Sequence, residues 1–250
     1  MAAGHTIDAL GQFELHSVLG PVGASVGFSE STFMMVVSSA LTLILLGVGM
    51  SAKAVVPGRL QALAEMLYDF VYKMCIEQIG EEGKKFFPFI FTLFMFILLG
   101  NLLGLLPFSF TYTSHIAVTF SLAALVIVLV TAVALAIHGW HFFSYFFPAG
   151  APIALSPLIV TVEIISYLSR PVSLSIRLFA NMVAGHVMFE VFASFIVMMA
   201  GAGVVGYLGG IGPLALNVIL MGFELLVACL QAYVFAVLTC IYLHDAVHLH

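Results

Sequence analysis

Between Phe86 and Val162 the chain carries no Asp, Glu, Lys or Arg. A soluble domain has about a quarter of its residues charged, so a run of this length cannot belong to one. It is long enough to cross a bilayer more than once, at roughly 20 residues per helical crossing. The rest of the chain agrees: of 250 residues, 63% are hydrophobic and 8% charged, and mean hydropathy is +1.20. Apolar runs of helical rather than strand length predict an all-α integral membrane protein, not a β-barrel. Seven Lys and Arg residues are too few for a nucleic-acid surface. Cys75, Cys229 and Cys240 show no metal or CxxC spacing and read as small apolar residues, and no metal or cofactor is expected.

Charge and turn residues divide the chain, which is expected to form a single membrane domain. Residues 1–30 are mixed, with three acidic residues and no Lys or Arg, unlike a secretory or mitochondrial leader. They are expected at the outer surface, with the first membrane helix over 31–50 acting as the insertion signal. Ser51 to Lys85 holds Lys53, Arg59, Lys73, Lys84 and Lys85, which makes this loop cytoplasmic by the positive-inside rule. Within it, residues 57–82 carry Leu60, Leu63, Leu67, Phe70, Val71 and Met74 at helical spacing. That pattern predicts an amphipathic helix, lying either on the membrane surface or against a partner subunit. Residues 86–106 and 116–137 read as a membrane hairpin, with 108–115 turning on the outer side. Residues 138–153 hold His138, Trp140, His141 and Tyr145 among turn residues and read as interfacial.

Two longer segments follow, 156–200 and 213–243, separated by a stretch with six glycines between Gly201 and Gly212. At 1.5 Å per residue they would be about 65 and 45 Å long, more than a bilayer of about 30 Å needs. They are expected to form a strongly tilted or nearly horizontal hairpin. Five crossings would put the N-terminus outside and the C-terminus inside.

These segments also carry unusual charges. Arg177 stands inside an apolar run, where an arginine costs about 2.5–3.5 kcal/mol on insertion scales. At 100° per residue, Glu163, Ser166, Arg170 and Ser173 fall within about 40° of it, with Asn181 one turn further on. His186 lies on the opposite side, and Glu190, four residues on, shares its face. On the last helix Asn217, Glu224 and Gln231 recur every seven residues and align. Small residues Gly222, Ala228, Ala232 and Ala236 beside them permit close helix approach. Polar residues can simply join helices, and Asn101 reads as either an interhelical bond or one wall of a water path. Ionisable groups of both signs in one stripe point instead to an ion or proton path. An autonomous transporter would show inverted repeats, which the sequence lacks, and a purely structural anchor would leave Arg177 without purpose.

The stretch Pro171-Val-Ser-Leu-Ser-Ile-Arg-Leu-Phe-Ala-Asn-Met-Val-Ala-Gly-His186 closely resembles subunit a of F-type ATP synthases. So do Glu224 followed by Leu230–Leu243, and Gly100-Asn-Leu-Leu-Gly-Leu-Leu-Pro107. The resemblance spans about residues 30–245. It implies a non-catalytic, proton-conducting stator subunit in a bacterial plasma membrane, or alternatively a mitochondrial inner membrane. The implied partners are a ring of c subunits with one mid-membrane carboxylate each, the subunit b stalk, other synthase subunits and lipid. Arg177 matches the arginine that faces the ring and divides two aqueous half-channels. His186 and Glu224 match outer half-channel positions, exchanged relative to some bacterial members, and are expected to act as one titratable pair. Glu163 matches the acidic position of the inner half-channel, and Asn181 and Gln231 match polar positions near the arginine. Glu190 matches no family position; it either lines the outer path or faces water. No phosphate-binding glycine loop occurs, so the ATP chemistry is expected elsewhere.

Overall fold

The computed structural model describes residues 29–51, 57–106, 109–140, 156–200 and 203–248. They form six α-helices in chain order: α1 (Glu30–Ser51), α2 (Arg59–Ile79), α3 (Gly83–Gly104), α4 (Ile116–His138), α5 (Ser156–Ala200) and α6 (Gly203–Val247), with a 3₁₀ turn at Tyr112–Ser114 before α4. No β-strand occurs among the described residues. Five of the helices, all but α2, are long and apolar enough to cross a membrane. The chain is therefore an all-α protein of the membrane class. The interfacial stretch expected at residues 138–153 lies mostly outside the described residues, as do residues 1–28.

α5 and α6 are each 45 residues long, about 65–70 Å at helical rise. They pack antiparallel, with more contact between them than between any other two helices. α6 begins at Gly203, ten residues before the expected start at residue 213. Gly206, Gly209, Gly210, Gly212 and Pro213, which suggested a broad break, lie inside the helix, while Gly201 falls outside the described residues. Weak helical propensity matters little in an apolar medium, where an unpaired backbone amide or carbonyl costs several kcal/mol. Pro171 is accommodated within α5 in the same way.

α3 is the centre of the bundle, with buried residues on every turn from Phe87 to Asn101. One face of α2 packs on it: Val71, Met74, Cys75 and Ile79 join the core of this same chain. This face of α2 is thus held by the chain's own bundle. Several of its other apolar residues, among them Leu60, Met66 and Phe70, remain exposed. Lys73 pairs with Asp69 at 2.6 Å on the polar side, which raises the lysine above its ordinary pKa through the Asp69 hydrogen bond and charge.

The turn between α3 and α4 is drawn into the bundle. Thr111, Tyr112, Thr113 and Ser114 are all buried. The Gly100-Asn101-Leu-Leu-Gly104 run makes room for it. A Cβ on Gly100 would collide with the Tyr112 ring and hydroxyl, and one on Gly104 with the Thr111 side chain. Tyr112 donates to the Phe96 carbonyl at 2.7 Å and meets Ser38 Oγ of α1 at 3.0 Å. Asn101 accepts from Thr113 Oγ1 at 2.8 Å and donates to the Ala228 carbonyl of α6 at 3.2 Å.

Candidate functional site

Leu174, Leu178 and Met182 are buried at four-residue spacing, so one stripe of α5 faces the bundle. Arg177 falls outside that stripe and is exposed. It forms no ion pair among the described residues. Asn181, one turn further on, is half-buried. On α6, Glu224 and Gln231 share the buried face with Ala228, Ala232 and Ala236, as their seven-residue spacing requires. Gly222 instead lies exposed with open space around it, so no described helix of this chain approaches closely there.

Two recesses flank the hairpin on the Glu224 side. One, of about 380 Å³, is lined by Asn181, Gly185, Met188, Phe223, Glu224 and Gln231 among others. It leads along α5 to within one helical turn of Arg177. The other, of about 520 Å³, lies where α3, α5 and α6 meet and is lined by Leu105, Ser109, His186, Phe189, Asn217 and Met221 among others.

Glu224 is 4% exposed, and neither of its carboxylate oxygens finds a hydrogen-bond partner among the described residues. Its carboxyl sits against Gly185, the only residue type that leaves space there. An uncompensated buried carboxyl is costly, and such costs gather at functional positions. Oδ1 of Asn217 and Oε2 of Glu190 are also buried without a partner among the described residues. His186 Nε2 lies 2.8 Å from Thr111 Oγ1. His186 and Glu224, expected as one pair, thus line separate recesses, and no hydrogen bond joins them.

The helix α4 gives the order of levels along the hairpin. Just before its first turn, Thr111 meets His186. At its last residue, His138 Nε2 donates to the Ala246 carbonyl at 3.2 Å. His186 and Glu224 therefore lie towards one end, with Arg170 and Asp245 towards the other. Glu163, half-buried, is fourteen residues before Arg177, about 21 Å along the helix, and lies beyond Arg170 towards that second end.

Arg170, seven residues before Arg177 on the same helix, has partners of its own. Its guanidinium pairs with Asp245 Oδ2 at 3.3 Å and lies over the rings of Tyr167 and Tyr242, at 5.7 and 5.2 Å. Tyr167 in turn reaches Thr131 of α4 at 2.5 Å. Asn101, fully buried and bonded on both sides of its amide, matches the interhelical reading of that residue. Sequence reasoning passed over Thr111 and Ser109. The signal was present: five of the six residues from Ser109 to Ser114 bear hydroxyls, a density that a solvent-facing turn does not need.

A family profile described as ATP synthase A chain matches residues 32–244. A protein of Granulibacter bethesdensis named ATP synthase subunit a is 70% identical over the full length of both chains. One of the same name from Gluconacetobacter diazotrophicus is 65% identical over 99% of each chain. Another, from Rhodospirillum rubrum, is 48% identical over 91% of this chain and 92% of its own.

Proposed function

The chain belongs to the family of ATP synthase A chains, and from this premise we propose that it carries protons through the membrane sector of an F-type ATP synthase. The single observation that most supports this is Arg177, a cation exposed on an apolar helix with no ion pair among the described residues. In lipid it would be costly, so it calls for a partner of opposite charge. A ring of c subunits, each with a mid-membrane carboxylate, supplies one.

On this reading a proton enters from the outer side through the recesses that hold His186 and Glu224. It passes Asn181 and Gln231 and neutralises a ring carboxylate. The neutral carboxyl can turn into lipid, whereas the ionised one cannot, because burying its charge costs too much. After nearly a full turn the carboxyl meets the inner path near Glu163 and releases its proton. Arg177 holds the ring carboxylate ionised as it passes, and blocks protons from crossing directly between the two paths. Arginine suits this better than lysine because it keeps its charge in any surroundings. Each proton contributes about 2.3 kcal/mol per 100 mV, so several are needed for each ATP. Glu190, one helical turn beyond His186 on α5, is assigned to the outer side. The bacterial relatives and the basic cytoplasmic loop favour a plasma membrane, N-terminus outside and C-terminus inside, with the subunit b stalk as a further stator contact.

The test is Arg177→Ala in the intact synthase. ATP-driven acidification of inverted membrane vesicles should vanish while the complex still assembles. Retained pumping would sink the proposal.

A further inference from the structure

Thr111 has no part in the path described above, yet it touches one of its residues. Its hydroxyl lies 2.8 Å from His186 Nε2, and the residue is 4% exposed. The contact ties the turn before α4 to the middle of α5. Thr111 cannot follow the ring if the ring moves, because it is held on several sides. Gly104 leaves the slot its side chain fills. Its carbonyl accepts from both the amide and the hydroxyl of Ser114, at 3.1 and 2.6 Å. The next two residues are anchored to α3, Tyr112 on the Phe96 carbonyl and Thr113 on Asn101.

A hydroxyl is the one small group suited to both states of an imidazole. It donates when Nε2 is an unprotonated acceptor, and accepts when Nε2 carries a proton. A side chain of the same shape without the oxygen does neither, and leaves the half-buried ring without this partner.

We infer that Thr111 is the positioning residue for His186: its fixed hydroxyl holds the imidazole at the edge of the recess lined by Ser109 and Asn217, in both protonation states. The inference rests on the reading of His186 as a proton-handling residue. Thr111 acts through the ring and does not itself need to carry a proton.

The experiment compares Thr111→Val, which keeps shape and loses the hydroxyl, with Thr111→Ser, which keeps the hydroxyl. Each is made in the intact synthase, alone and with His186→Ala. Proton conductance of the membrane sector is measured in inverted vesicles and normalised to the amount of assembled complex. Thr111→Val should lower conductance about three- to tenfold, the worth of one hydrogen bond, and Thr111→Ser should retain at least about half. In the His186→Ala background, Thr111→Val should cause no further loss. If Thr111→Val conducts like the unaltered protein while His186→Ala is impaired, the positioning role is overturned and the proton path stands. Equal losses from Val and Ser, or losses that add to that of His186→Ala, also overturn it, because they mark packing alone. If His186→Ala itself conducts normally, the reading beneath the inference falls.

Discussion

The carboxyl of Glu224 rests on the bare Cα of Gly185, where any Cβ would collide with Oε1 and the carboxyl carbon. A helix glycine usually weakens a helix by about 0.5–1 kcal/mol relative to alanine, so here the smaller side chain serves the opposite helix. Gly185→Ala should push the Glu224 carboxyl out of its recess. Overpacking of this kind costs about 1–3 kcal/mol, and because the displaced group is one proposed to carry protons, conductance should fall by about tenfold or more. Measuring ATP-driven acidification and assembled complex in the same membranes checks this. Unchanged acidification would show that Glu224 can relocate without consequence.

Two other glycines give a contrast that separates packing from propensity. Gly100 faces the ring and hydroxyl of Tyr112, while Gly222 has nothing within 4 Å of the position a Cβ would take. Gly100→Ala should destabilise the subunit by about 1–3 kcal/mol through overpacking. Gly222→Ala should be neutral or stabilising by up to about 1 kcal/mol in the isolated subunit. Thermal unfolding of the purified subunit in detergent measures both, and similar shifts for the two would contradict the described packing of the turn.

The number of long helices was legible because each uncharged run is a solvation constraint that only a helix in lipid satisfies. The seven-residue spacing of Asn217, Glu224 and Gln231 likewise brought Glu224 and Gln231 to one buried face. What failed was inference from propensity, which extended the break to Gly212 although α6 already begins at Gly203 and the apolar medium enforces backbone pairing. Helical angle placed Arg170 beside Arg177 but says nothing of what approaches from α6, and Asp245 is 75 positions away in sequence. The seating of Tyr112 against Gly100 was not legible for the same reason: periodicity describes one element, whereas a slot is made by two.

Arg170 and Asp245 are therefore expected to join α5 to α6 rather than to conduct. Their side chains are 20% and 38% exposed, so the pair is partly screened and worth about 1 kcal/mol or less. Asp245→Asn should lower the thermal midpoint of the purified subunit slightly and leave at least about half of the proton conductance. Arg170→Gln should cost more stability than Asp245→Asn, since it also removes the stacking on Tyr167 and Tyr242, worth about 0.5–1 kcal/mol at an exposed site. Loss of conductance from Asp245→Asn as large as that from Arg177→Ala would return this pair to the proton path.

The packing of α2 against α6 has its own chemical reporter. Cys75 and Cys240 are buried, and their sulfurs lie 3.9 Å apart across the two helices, whereas Cys229 is exposed on α6. A buried thiol is inert towards bulky reagents, while a small oxidant needs only a modest side-chain rotation to join two neighbouring sulfurs. In purified subunit, a bulky maleimide should label Cys229 and spare the other two. Diamide should then link Cys75 to Cys240 within one chain, seen as a peptide pair by mass spectrometry after digestion and absent in Cys75→Ser or Cys240→Ser. The reagent accepts the two electrons and two protons that the thiols lose. If α2 instead lay free of the bundle, Cys75 would take the maleimide as readily as Cys229, and the internal link would not form.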